Sequence, residues 1–102
     1  MSRSSVAWLE SRRRVQLRAE ALLNERTAAR LLYRGKLSGG VYAGQYIGAL
    51  LYSEEGCRHV LKVLDSLAEG KEVPVTLVTS ERRLVQASWL KLSHGKLQRV
   101  QP

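Results

Sequence analysis

The sequence predicts an α+β fold: a long N-terminal basic helix, then a strand, a second helix and an antiparallel β-meander. Three observations predict it. Residues 5–34 hold neither Pro nor Gly and are dominated by Leu, Ala, Glu, Arg and Gln, all strong helix formers. Cys57, Val60, Leu61, Leu64, Leu67 and Ala68 recur at helical spacing. Residues 73–79 (Val-Pro-Val-Thr-Leu-Val-Thr) are rich in the β-branched side chains that suit a pleated surface. A chain of 102 residues is one small domain. Within it, residues 1–36 read as a basic helical segment able to project from an α+β core over residues 37–102.

The first helix carries apolar side chains at Trp8, Val15, Ala19, Leu22, Leu23, Ala29, Leu32 and Tyr33, with a seven-residue echo at 8, 15, 22 and 29. Arg12, Arg18 and Arg26 border or interrupt that stripe. Thirty helical residues would span about 45 Å, whereas a compact domain of this size is roughly 35 Å across. Either the helix breaks, with Asn24 capping a second helix at Asn24-Glu25-Arg26-Thr27, or a partner covers the overhang. Gly35 suits the C-terminal stop.

Gly40, Gly44 and Gly48 penalise a helix by about 1 kcal/mol each. Residues 38–48 therefore predict a turn leading into a strand over residues 41–52, with a bulge at a glycine. Ser53-Glu54-Glu55 is a helix start, with a capping hydroxyl and two acids in the first turn. The helix over 57–68 is expected to pack on the sheet through Val60, Leu61, Leu64 and Leu67, and to end at Gly70. A strand over 73–79, its start placed at an edge by Pro74, leads into a hairpin loop at residues 80–83 and a strand over 84–92. Ser80, Leu84, Val85, Ser88 and Leu92 also fit a capped helix, and periodicity alone does not decide. Alternation of Val85, Ala87 and Trp89 with polar neighbours favours the strand. Ser93-His94-Gly95-Lys96 is the next turn, and residues 97–100 form the last strand.

Several chemistries are excluded on residue grounds. Cys57 is the single cysteine, so no internal disulfide or multi-cysteine metal site forms, and a reducing compartment fits best. Cys57 and His59 are two apart on a helix and point to nearly opposite sides. Cys57 lies on the apolar stripe, so it reads as a core thiol and not as a nucleophile partnered by His94. Asp65 and Glu69 are one turn apart, but beside Lys62 and Lys71 they read as a solvated helix face. Gly35-Lys36-Leu37-Ser38-Gly39-Gly40 lacks the spacing and the strand-first context of a P-loop. No catalytic set, metal or cofactor is therefore expected. Tyr33, Tyr42, Tyr46 and Tyr52 read as core or strand residues, although exposed tyrosines can stack on the bases of single strands.

Charge is the informative feature. The net charge is +8 and the pI about 10.3, which favours acidic partners. Residues 1–36 hold nine basic against three acidic residues, while the remainder holds eight against six. Arginine outnumbers lysine, 12 to 5, and arginine grips phosphate through two parallel hydrogen bonds. Arg14 and Arg18 are one turn apart, and Arg26, Arg30 and Arg34 form an i, i+4, i+8 ridge whose like charges repel unless a counter-charge intervenes. Glu10 offsets Arg14 at i+4. Arg82 and Arg83, near Lys91 and Lys96, make a second contact at a hairpin tip. The expected function is non-enzymatic nucleic-acid binding, with an acidic protein surface as the other anionic partner. The alternative is a structural or adaptor subunit of a homo- or hetero-oligomeric assembly, such as a viral particle. The first residues lack the apolar run of a secretory leader, and no stretch matches a membrane span. A cytoplasmic chain without membrane contact is expected.

Overall fold

A computed structural model describes residues 3–79 and 87–100 of the chain. Its architecture is mixed α+β, with four helices and two antiparallel two-stranded sheets. The N-terminal helical region breaks into α1 (Arg3–Leu22) and α2 (Glu25–Arg34). Asn24 is the break. Its backbone is extended (φ −70°, ψ 162°), and its side chain accepts from the Thr27 N–H, which satisfies one of the donors a helix start leaves open.

The break changes which residues face inward. In α1 the buried positions from Val6 onward are Ser11, Val15 and Ala19. In α2 they are Ala28, Leu31 and Leu32. At about 100° per residue, the buried face of α2 lies nearly opposite where an unbroken α1 would have carried it. Ala29 and Tyr33, expected on the apolar stripe, therefore face solvent. Arg26 would have sat in the middle of that stripe, and it faces solvent too.

Helix α2 runs directly into β1 (Gly35–Leu37). A loop follows in which Gly40 and Gly44 both have positive φ, and the Gly44 N–H returns to the Leu37 carbonyl. This corrects the strand expected over residues 41–52. Val41 is 90% exposed at the loop tip, and a one-turn helix, α3 (Ile47–Leu50), follows. The reason is spacing: Ile47 and Leu50 are both buried, and a strand would have turned one of them outward.

Helix α4 (Glu54–Ala68) starts where the sequence places it, with the Ser53 hydroxyl accepting from the Gly56 N–H at 3.0 Å. Its buried side chains include Cys57, Val60, Val63, Leu64 and Leu67. They pack chiefly along α1 and only secondarily on the sheet. One apolar core joins Val15, Ala19 and Leu23, the buried face of α2, Ile47, the α4 stripe, Val73, Val75 and Leu90.

Strand β2 (Val75–Leu77) pairs antiparallel with β1, Lys36 opposite Thr76. Strands β3 (Trp89–Ser93) and β4 (Lys96–Val100) form the second ladder, closed by the expected turn at His94-Gly95. The ladders meet where Val73 and Leu90 exchange hydrogen bonds of 2.8 Å. Beside that bridge Ser88 is 1% exposed. Its N–H donates to Thr76 Oγ1 at 2.9 Å, and its carbonyl accepts from Ser38 Oγ at 2.7 Å. The β2 ladder thus finds its partner in β1, earlier in the chain. Of the strand expected over residues 84–92, residues 89–92 lie in β3, residues 87 and 88 precede it, and residues 84–86 lie outside the described residues. The expected hairpin loop at 80–83 lies outside the described residues.

Candidate functional site

The structure divides the predicted arginines into two groups. Arg26, Arg30 and Arg34 stand together on the outward face of α2, around an open depression of about 650 Å³ that they share with Thr27, Ala29 and Tyr33. Arg14 and Arg18 lie on α1, on the flank toward α4, where Arg18 meets Asp65 at 3.3 Å. The opposite flank of α1 carries Arg12, Gln16 and Glu20, and it faces α2 and α3 across a groove. The five side chains therefore do not form one row. Arg82 and Arg83 lie outside the described residues.

Among the described residues, no carboxylate pairs with Arg14, Arg26, Arg30 or Arg34. The Glu10–Arg14 pairing expected from spacing does not form, and Glu10 lies on the solvent face of α1. The Arg18–Asp65 pair is about half exposed on both sides, and a pair in that setting contributes little stability.

The groove between α1, α2 and α3 has a volume of about 330 Å³. Its floor is apolar, from Ala28, Leu32, Gly48 and Leu51, and its rim carries Arg12, Tyr33 and Tyr52. Tyr33 is 72% exposed and Tyr52 68% exposed. Neither is a core residue, contrary to the reading from sequence. Tyr42 does pack against the core, with His59 edge-on at 4.9 Å between ring centroids. Tyr46 lies beneath the Lys36 ammonium, 5.7 Å away. Tyr52 stacks on Trp8 with centroids 6.1 Å apart, and the Arg12 guanidinium lies 5.3 Å from its ring centre. Trp8 is anchored in turn, its indole N–H donating to the Leu51 carbonyl. Sequence reasoning missed Arg12 and misplaced Tyr33. The signal for Tyr33 was its place three residues after Arg30, legible only once the helix is known to restart at Asn24.

The chemistry-bearing residues tested in the sequence are held elsewhere. Cys57 is fully buried, with Sγ 3.5 Å from the Leu51 carbonyl. Burial pushes its thiol pKa up, against a smaller opposing pull from Arg12. Asp65 is engaged by Arg18, and Glu69 by Lys71 at 2.9 Å. Among the described residues, no cluster of three His, Cys, Asp or Glu side chains could hold a metal ion, and no helix is long and apolar enough to cross a membrane.

Fold and site together define a small α+β protein with an arginine ridge beside an aromatic-rimmed groove. No protein-family model matches the chain, and no curated protein or solved structure matches it either.

Proposed function

We propose that this chain is a non-enzymatic nucleic-acid-binding accessory protein that grips phosphates with α2. The observation that carries this reading is the ridge of Arg26, Arg30 and Arg34, turned to solvent and without a paired carboxylate among the described residues. Three guanidinium groups at i, i+4, i+8 repel one another. A phosphate backbone relieves that repulsion and accepts paired hydrogen bonds from each. The test is affinity against salt. Log affinity should fall linearly with log salt, by about 0.7 per phosphate neutralised on a single strand or about 0.9 on duplex DNA. Affinity that stays flat as salt rises would sink the reading.

A second reading, a structural or adaptor subunit, is supported by Val6, Leu9 and Leu17, which are exposed on the outer side of α1. Mass measurement of nuclease-treated protein separates the two. A multimer free of nucleic acid supports assembly, whereas a monomer that regains mass on adding nucleic acid supports binding.

A further inference from the structure

We propose that the groove between α1, α2 and α3 seats nucleobases, so that the favoured ligand is single-stranded nucleic acid. This rests on the phosphate-binding reading and names its substrate class. The decisive residue is Tyr33, which borders both the arginine ridge and the groove. A strand whose phosphates lie along Arg26, Arg30 and Arg34 has its bases within reach of the Tyr33 ring. Across the groove stands Tyr52, backed by Trp8 and Arg12. Two exposed rings over an apolar floor form a stacking platform, and stacking tolerates any base because every base has a π-face. The space of about 330 Å³ reaches the range of small-molecule pockets.

The charges at the groove bias the polarity of binding, because two carboxylates there outnumber the single guanidinium of Arg12. Glu20 and Glu25 line it, and their carboxylates repel phosphate. The backbone is thereby kept on the outer ridge while the bases turn inward. The same two carboxylates count against an acidic peptide in the groove. A duplex keeps its bases paired and stacked inside, so it can use the ridge but not the platform.

The test uses the full chain and three fluorescent probes of equal length: an oligothymidylate, an abasic phosphodiester chain and a DNA duplex. The oligothymidylate should bind tightest. Tyr33→Ala and Tyr52→Ala should each weaken it about five- to 150-fold and leave abasic binding unchanged. Tyr33→Phe and Tyr52→Phe, which keep the ring, should retain affinity. Three outcomes overturn the platform: equal affinity for oligothymidylate and abasic chain, no effect of the Ala variants, or Phe variants as damaged as the Ala ones. If these occur while salt-steep binding persists, the arginine-ridge reading survives alone. Absence of binding to all three probes overturns both.

Discussion

The Asn24 carboxamide oxygen accepts a hydrogen bond from the Thr27 backbone N–H at 2.8 Å, and this contact sets the direction of the arginine ridge. It starts α2 in a new phase, so Ala28, Leu31 and Leu32 enter the core while Arg26, Arg30 and Arg34 face water. Removing the cap acts on stability. Asn24→Ala should cost about 1 kcal/mol, a drop in Tm of roughly 4–8 °C for a domain this small. Asn24→Asp, which keeps the acceptor, should stay close to the parent in the same thermal melt.

The division of the arginines makes a second expectation quantitative. The Arg26→Gln, Arg30→Gln, Arg34→Gln triple variant should reduce the log–log salt slope on a single strand by about 2, at roughly 0.7 for each phosphate no longer neutralised. The Arg14→Gln, Arg18→Gln double variant should leave that slope almost unchanged. Those side chains lie on the other flank of α1, and Arg18 already faces Asp65. Equal slopes for the two variants would mean the strand does not follow α2.

What was legible in the sequence was what is decided locally. Ser53 as a cap, the α4 stripe and the His94-Gly95 turn each follow from a few adjacent residues, and Asn24 was readable as the place for a break, though not that the helix breaks there. What was not legible depends on packing between distant residues. The partner of β2 is β1, some forty residues earlier in the chain. The glycine-rich segment at 38–48 became a loop and a helical turn because Ile47 and Leu50 both found the core. Tyr33 changed sides because the helix restarted, and no window spanning 5–34 as a single period could show it. Of the candidate site, the α2 ridge was readable as a charge pattern, while the groove beside it exists only through the packing of three helices.

Gly56 illustrates such a distant constraint. A Cβ built there would lie 1.9 Å from the Leu50 carbonyl oxygen, a backbone atom with no rotamer to escape into. The glycine lets the first turn of α4 pass against the end of α3. Gly56→Ala should therefore destabilise despite its better helix propensity. A loss of about 1–3 kcal/mol is expected from overpacking, read as a lower denaturant midpoint. A stabilised variant would show that the two helices do not approach this closely.

Cys57 gives the chain a pH dependence with a defined sign. Burial raises the thiol pKa in the folded state, while the unfolded thiol ionises near its ordinary value of about 8.5. Below that pH both states hold the proton and the group contributes no slope. Above it the unfolded state releases the proton first, so stability declines as pH rises, until the folded pKa is passed. The limiting decline is about 1.4 kcal/mol per pH unit. Cys57→Ala removes the titrating group. Denaturant unfolding of parent and variant from neutral to alkaline pH should show the gap between them narrowing above about pH 8.5. A constant gap across that range would place the thiol in contact with solvent and contradict its position beneath the α1–α4 contact.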